Sequence, residues 1–266
     1  MTPADLAALR GAVAAIARRA GEAILAVYEG EFAVTHKDDR SPLTEADLAA
    51  HRVIDAALGE LDSSLPVLSE ESAHIPWAQR REWQRYWLVD PLDGTREFVK
   101  RNGEFTVNIA LIERGVPVLG VVHAPVRGDL AHAAHGQGAT LERPGAAPRE
   151  LATRVGKAGV LRVAGSRSHG DPRMEGFLQR VGAHELLALG SSLKFLLLAD
   201  GSADVYLRYG PTSEWDTAAG QGVLEAAGGR VTDLALEPLR YNTRDSLLNP
   251  DFVAVADPAL DLARLL

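Results

Sequence analysis

Apolar residues recur every three or four positions in two early segments, a pattern typical of amphipathic helices that face a core. The predicted helices cover residues 3–28 and 44–61. Thr44 precedes Asp47 by three positions, which is the spacing of a capping box, although Glu or Gln is more usual at the second position. A polar, turn-rich connection at residues 35–42 separates the helices, so the chain opens with a predicted helical pair.

Short apolar runs follow, and their lengths favour strands over helices. These strands are predicted at residues 66–69, 86–89, 105–112 and 116–122, with a turn at 136–140 between two more. After residue 157 the pattern becomes alternating. Helices are predicted near 172–181, 191–200 and 216–228, and strands near 161–164, 203–207 and 251–255. We therefore expect an N-terminal α+β half, residues 1–157, and a C-terminal α/β half, residues 158–266.

Composition excludes several classes of protein. The chain has 266 residues, a net charge of −8 and no cysteine, so disulfide frameworks, thiolate zinc sites and cysteine nucleophiles are absent. A chain of this size buries roughly 70–75% of its unfolded surface. The negative charge disfavours long nucleic acid as a partner. Because neither a signal peptide nor a run of ~20 apolar residues is found, we expect a soluble, cytoplasmic protein without a transmembrane segment.

The segment Asp90–Thr95 places two carboxylates, a proline, a glycine and a hydroxyl directly after an apolar strand. Two carboxylates held a few ångströms apart repel each other, and burial makes this costly unless a cation compensates or one carboxylate keeps its proton. Mg²⁺ suits such a site, because it takes about six oxygen ligands and commonly keeps waters and substrate phosphate alongside one or two carboxylates. Asp, Pro and Gly also form ordinary β-turns, so this segment by itself leaves both interpretations open.

Further acidic residues have a functional and a structural interpretation. Glu70 and Glu71 follow an apolar strand and could reach the same strand ends, yet adjacent glutamates are usually solvated surface residues. Asp216 precedes a helix-like segment, where it could act simply as an N-cap. Asp47 could likewise serve only its own helix.

Taken in order, these pieces form a recognisable pattern. The chain resembles the inositol monophosphatase superfamily of magnesium-dependent, lithium-sensitive phosphatases over nearly its whole length. Longer strings are similar to the bacterial 3'(2'),5'-bisphosphate nucleotidase branch of that superfamily. The pattern comprises Asp47, Glu70–Glu71, Asp90–Thr95, Trp215–Asp216 and Gly228–Gly229, and the longer strings are residues 90–112, 190–195 and 208–220. The resemblance implies an α/β class with the layered αβαβα sugar-phosphatase architecture.

The resemblance also implies a set of site residues. Asp47 and Thr95 would orient the attacking water, together with Glu70. Ser166 and His169 would contact the ribose or base of the nucleotide, but they could instead belong to a plain loop. Lys194 would meet a second phosphate, but it could instead be a surface lysine. The implied metal ligands are Glu70, Asp90, the Leu92 carbonyl, Asp93 and Asp216. The implied substrate-binding residues are Glu70, Leu92, Asp93, Gly94, Thr95, Ser166, His169, Ser191, Lys194 and Asp216.

The implied reaction removes the 3'-phosphate of adenosine 3',5'-bisphosphate (PAP) to give AMP, with the sulfated nucleotide PAPS as a second substrate, converted to APS. The implied cofactor is Mg²⁺, as two or three ions, and lithium is the implied inhibitor. The resemblance also implies that the protein has a role in sulfur metabolism. The alternative is an inositol monophosphatase or related sugar phosphatase, but these carry an acid seven positions before the late metal ligand, where this chain has Tyr209. A phosphometabolite-binding protein without turnover is a further alternative, although no expected site residue is missing. A homodimer and peripheral attachment to the inner membrane stay open.

Overall fold

The computed structural model describes residues 2–30, 34–36, 42–156, 159–165 and 171–266. The predicted boundary at residue 157 lies outside these ranges, as do Ser166 and His169. The described helices are α1 (Pro3–Tyr28), α2 (Glu45–Leu61), α3 (Trp77–Arg80), α4 (Thr95–Val99), α5 (Pro172–Val181), α6 (Leu193–Ala199), α7 (Glu214–Ala226) and α8 (Leu262–Leu265), with a 3₁₀ turn at Glu70–Ser72. None of these described helices combines the length and apolar character needed to cross a bilayer.

The strands form two large sheets and one small hairpin. They are β1 (Val34–His36), β2 (Pro42–Thr44), β3 (Val67–Ser69), β4 (Arg85–Asp93), β5 (Thr106–Glu113), β6 (Val116–Ala124), β7 (Asp129–Ala134), β8 (Ala139–Glu142), β9 (Arg149–Leu151), β10 (Leu161–Gly165), β11 (His184–Ala188), β12 (Val205–Arg208), β13 (Arg230–Asp233) and β14 (Phe252–Val255). The larger sheet runs from β3 to β9 in chain order, antiparallel except for the β3–β4 pair. The smaller, mixed sheet has the order β11-β10-β12-β14-β13.

Both faces of the larger sheet are covered. In β4, Trp87 and Val89 pack with α1 and α2, whereas Tyr86 and Leu88 point into a second core shared with α6 and α7. All four side chains are at most 1% exposed. A strand buried on both faces reads as a continuous apolar run, and this is why its sequence shows no alternation of apolar and polar residues.

The middle layer of α6 and α7 lies between the two sheets. Phe195 of α6 contacts Tyr206 and Phe252 of the smaller sheet, with ring centroids 5.4 and 6.0 Å apart. On the other side α7 approaches the larger sheet so closely that a Cβ at Gly120 would lie 2.4 Å from the carbonyl oxygen of Ala219. Only glycine permits this approach.

The outer face of the smaller sheet is covered by α5 and α8. Phe177 of α5 and Leu262 of α8 pack with Val163, Val205 and Val253 in a third core cluster. The layers therefore alternate as helices, sheet, helices, sheet, helices. This confirms the αβαβα architecture implied by the sequence.

Most of the longer predicted elements are found, whereas several short ones were missed. Thr44 caps α2 and forms the predicted capping box with Asp47. The paired strands β1 and β2 overlap the two ends of the predicted connection at 35–42. The elements not foreseen are β1, β2, β9, β11, β13, α3 and α8. All have three to five residues, a length that carries little periodicity, although the equally short β3, β10, β12 and β14 were predicted from their apolar runs.

Candidate active site

A cavity of about 300 Å³ opens at the place where the two sheets and the middle helical layer meet. It gathers residues from the 3₁₀ turn, the end of β4, the start of α4 and the start of α6 on one side. The end of β12 and the start of α7 complete the wall. The lining residues are Glu70, Asp90, Leu92, Asp93, Gly94, Thr95, Arg96, Glu97, Gly190, Ser191, Ser192, Lys194, Phe195, Tyr206, Arg208, Pro211, Thr212, Asp216 and Thr217.

Three of the predicted carboxylates converge in this cavity. Asp90, Asp93 and Asp216 each offer an oxygen, and these oxygens all lie within 4.8 Å of one another. Asp90 and Asp93 flank an irregularity in the pairing of β4 with β5, whereas Asp216 comes from the first turn of α7. The fold therefore joins acids that are far apart in the sequence.

Local geometry explains how β4 presents its acids. The Leu92 amide donates to the Asp90 carboxylate at 3.0 Å, which closes a tight turn within the strand end. The Leu92 side chain is 1% exposed and packs in the core beneath α1 and α2. This anchoring fixes the strand end that carries both aspartates.

The electrostatics of the cluster are those of a cation site. Burial raises the pKa of Asp90 and of Asp216 well above the ordinary value, and neighbouring carboxylates raise each further. Burial also raises the pKa of Asp93 to about 6, although the nearby Lys194 ammonium opposes the rise. Oxygen-only donors under such mutual repulsion match the preference of a hard divalent cation. The cluster could thus hold a metal ion.

The structure separates the two adjacent glutamates. Glu70 is half-buried and lines the cavity, and its charge contributes to raising the pKa values of the clustered aspartates. Glu71 does not line the cavity. The 3₁₀ turn that begins at Glu70 places the first of the pair toward the aspartates, so Glu70 is the candidate ligand.

Asp47 and Thr95 meet beside the cluster. The Thr95 hydroxyl lies 3.3 Å from Asp47 Oδ1, to which it donates, and 3.4 Å from the Leu92 carbonyl oxygen. The other oxygen of Asp47 accepts from the Thr44 amide at 2.8 Å. One carboxylate therefore caps α2 and reaches the site, so the two interpretations of Asp47 are compatible.

The interpretation of Lys194 as a surface lysine is wrong. Its residue is 4% exposed, and its ammonium donates to the carbonyl oxygens of Ser191 at 2.5 Å and Leu189 at 3.2 Å. Burial lowers the pKa of Lys194 to about 8, although the charge of Asp93 opposes this. A cation held this way faces the same cavity as the acids.

The segment before α6 is shaped for a ligand. Ser191 has a positive φ of 46°, and its hydroxyl is buried without a hydrogen-bond partner among the described residues. A buried hydroxyl rarely lacks a partner, so it points to a group supplied by a ligand. Gly94, which precedes α4 at a φ of 95°, faces this segment, with Ser191 Cβ 3.3 Å from where its own Cβ would be.

Asp216 is not the N-cap of its helix, although it takes part in capping that helix from the third position. Ser213 is the N-cap, and the Asp216 carboxylate accepts from the Ser213 amide at 2.9 Å as the third residue of a capping box. The box fixes the carboxylate relative to the helix start. The same acid then serves both the helix and the cavity.

Sequence reasoning missed one of the cationic residues that line the cavity. Arg208, at the end of β12, lines it and donates from Nε to the Thr212 hydroxyl at 2.9 Å. Arg208 begins the segment 208–220 that is similar to the nucleotidase branch, but only the fold shows that β12 ends at the cavity. The cavity therefore brings Lys194 and Arg208, together with Arg96, into the same space as the acidic cluster.

Tyr209, where an inositol phosphatase would carry an acid, does not line the cavity. It stacks under the guanidinium of Arg173, whose carbon lies 4.3 Å from the ring centroid. Arg173 also pairs with Asp171 and Asp251 at 2.8 and 2.6 Å. The position is occupied by a packing contact, so the described structure offers no acid there.

Comparison with known proteins agrees with this architecture. Residues 5–260 match the inositol monophosphatase family. The 3'(2'),5'-bisphosphate nucleotidase CysQ of Escherichia coli strain K12 is 50% identical over 242 residues, 90% of this chain and 96% of that protein. A crystal structure of CysQ from Bacteroides thetaiotaomicron superimposes with a TM-score of 0.79 at 41% identity, covering 92% of this chain and 96% of that one. The extragenic suppressor protein suhB of Bartonella henselae gives 0.78 at 25% identity, with 97% and 95% covered.

Proposed function

Because this chain belongs to the inositol monophosphatase family, we propose that it is a 3'(2'),5'-bisphosphate nucleotidase that converts PAP to AMP and phosphate. The observation that carries the proposal is the 50% identity to nucleotidases over nearly the whole chain. The cavity supports it, because an acidic cluster and the cationic side chains of Arg96, Lys194 and Arg208 line one space. PAPS, hydrolysed to APS, is the proposed second substrate.

We propose Mg²⁺ as the metal, in two or three ions, with lithium as an inhibitor. The proposed ligands are Glu70, Asp90, the Leu92 carbonyl, Asp93 and Asp216. The all-oxygen donor set supports this choice. When bound, Mg²⁺ would supply positive charge that stabilises the negative charge building up on the phosphate oxygens.

The chain's own residues then have distinct roles. Thr95 would hold the attacking water and pass a proton toward Asp47, whose carboxylate lies within hydrogen-bond reach. Amides of Gly94 and Thr95 would contact the phosphate that is removed. Lys194 would contact the second phosphate with Arg208 beside it, which supports a bisphosphate over a monophosphate substrate.

The nucleotide-facing residues include two that the described structure does not cover. Ser166 and His169 are proposed to contact the ribose or base. Ser191, whose hydroxyl lacks a partner among the described residues, is proposed to bind the substrate as well. Inositol phosphates are a weaker proposal, because Tyr209 packs against Arg173 instead of presenting an acid to the cavity.

Phosphate release from PAP, PAPS, inositol 1-phosphate and fructose 1,6-bisphosphate, with Mg²⁺ or with EDTA, tests the substrate. We expect PAP to have the highest kcat/KM and EDTA to abolish release. Faster release from inositol 1-phosphate would instead assign the chain to the inositol branch. Lithium added to the PAP reaction should inhibit it.

A matched pair of variants tests the metal assignment. Glu70→Gln removes a carboxylate that lines the cavity, whereas Glu71→Gln removes its neighbour, which does not. We expect the first to lower kcat by at least about 10²-fold and the second to leave it within twofold. Equal effects of the two changes would refute the assignment of Glu70.

A further inference from the structure

A buried polar network connects two parts of the cavity that come from different halves of the chain. The Ser192 amide donates to Asp93 Oδ2 at 2.6 Å, which joins the start of α6 to the end of β4. Two residues farther along, Lys194 is held by the Ser191 carbonyl at 2.5 Å. The position of the proposed metal ligand is therefore tied to that of the proposed phosphate-binding cation.

Two residues of β5 hold this junction. The Ser192 hydroxyl donates to Asn108 Oδ1 at 2.7 Å and lies 2.7 Å from the Thr106 hydroxyl. A hydroxyl has one proton, so the proton between Thr106 and Ser192 must come from Thr106. The Asn108 amide, oriented by accepting from Ser192, turns its NH₂ group toward Asp93 Oδ2 at 3.4 Å.

Burial makes this network difficult to replace. Ser192, Thr106 and Asn108 are 2%, 0% and 1% exposed, so water cannot substitute for a lost partner. Thr106 and Asn108 do not line the cavity, and the Ser192 hydroxyl is engaged by both. Any effect they have on substrate or metal must pass through Asp93 and the start of α6.

We propose that Thr106, Asn108 and Ser192 are positioning residues. They orient the Asp93 carboxylate for its metal and fix the position of Lys194 relative to that carboxylate. The inference rests on the proposed function in one respect, that Asp93 binds Mg²⁺. Residues that orient metal ligands commonly contribute about 10–100-fold to metal affinity. The hydrogen bonds of this network hold the start of α6 in a fixed position relative to β5.

Mg²⁺ affinity without substrate, measured by isothermal titration calorimetry, tests this directly. Thr106→Val keeps the side-chain shape but removes the hydroxyl, and Ser192→Ala removes its partner. We expect each to weaken Mg²⁺ binding about tenfold and to raise the KM for PAP. Thr106→Ser, which keeps the hydroxyl, should restore affinity to within twofold of wild type.

Thr232→Val is a control for the removal of a buried hydroxyl, because Thr232 is also 1% exposed, its hydroxyl has no hydrogen-bond partner among the described residues, and it belongs to β13, outside the cavity lining. This control variant should leave Mg²⁺ binding unchanged. Thermal melts of all variants then show whether a weaker affinity is accompanied by a loss of stability. If Ser192→Ala does not fold, Thr106→Val and Thr106→Ser decide the outcome. Folded variants that bind Mg²⁺ with wild-type affinity would overturn the inference, as would a wild-type protein that binds none.

The two proposals fail separately. Weakened Mg²⁺ binding in the variants, with no PAP hydrolysis by the wild type, would retain the positioning network and reject the nucleotidase. PAP hydrolysis with unchanged Mg²⁺ affinity across the variants would do the reverse.

Discussion

Asp93→Asn should stabilise the metal-free protein while it abolishes catalysis. The change replaces a carboxylate by an amide of nearly the same shape. Asp93 has a pKa of about 6, above its ordinary value of 3.8, because burial opposes its charge more strongly than Lys194 and the Ser192 amide favour it. The folded protein therefore carries an unfavourable charge at neutral pH in the absence of metal.

The sign follows from proton linkage. Between pH 3.8 and about 6 the folded state retains a proton that the unfolded state has released, so stability falls as pH rises through this window. Above about pH 6 the folded state carries the full free-energy cost of the buried Asp93 charge. This cost is about 3 kcal/mol at most, because one pKa unit corresponds to about 1.4 kcal/mol. Asn carries no such charge and should recover part of this free energy.

Thermal unfolding in EDTA at pH 7.5 measures the effect. For a chain of this size about 1 kcal/mol corresponds to roughly 2–4 °C, so the Tm should rise by a few degrees, with about 6–12 °C as the upper limit. Added Mg²⁺ should then raise the Tm of the wild type but not of the variant. Phosphate release should fall at least about 10³-fold.

Asp204→Asn provides a control of opposite sign. Burial raises the pKa of Asp204, but hydrogen bonds from Arg162 outweigh it and hold the pKa below its ordinary value. This change should lower the Tm and leave Mg²⁺ stabilisation intact. A Tm of Asp93→Asn below that of the wild type in EDTA would refute the electrostatic reasoning.

Three further predictions concern the cavity walls. The pKa of Lys194 is lowered to about 8 by burial, so the KM for PAP should rise between pH 7.5 and 9 as this cation loses its proton, and Lys194→Gln should flatten that rise. Gly190→Ala should destabilise by about 1–3 kcal/mol in chemical denaturation, because its Cβ would lie 2.9 Å from the Glu104 carbonyl oxygen; Gly59→Ala, with nothing within 4 Å, should be neutral or stabilising. Thr95→Val should lower kcat by about 10²-fold or more while Thr95→Ser largely retains it; equal rates would show that the hydroxyl has no role.

Hydrophobic patterning predicted the main elements because their cause is local. The spacing of apolar residues located α1 and α2, and the capping box at Thr44 and Asp47 marked where α2 begins. Continuous apolar runs, which are typical of strands buried on both faces, located β4, β5 and β6. Several elements of three to five residues, such as β11, escaped detection, since pairing with a neighbouring strand decides their conformation more than their own residues do.

The candidate site, like the fold, could be predicted only in part from the sequence. The adjacent acids of Asp90–Thr95 indicated a cation site, because two carboxylates crowded into one buried turn repel each other unless a cation offsets their charge. The residue pattern alone left Glu70 and Glu71 equivalent, and it was the family resemblance that favoured Glu70, which lines the cavity. The sequence did not decide whether Lys194 is buried, or that the β12 residue Arg208 lines the cavity. Each depends on the packing of one layer against another.

The sequence by itself determined the longer helices and strands, the residue types of a cation site and the family resemblance. The family resemblance already grouped Asp216 with Asp90 and Asp93 as implied ligands, whereas only the tertiary structure decided how close their oxygens lie and that Ser192 connects β5 to α6. The physical reason is one of range. Helix periodicity, capping and turn chemistry act over a few residues, whereas charge repulsion and hydrogen bonding at the site act between atoms that only the stacking of the two sheets brings together.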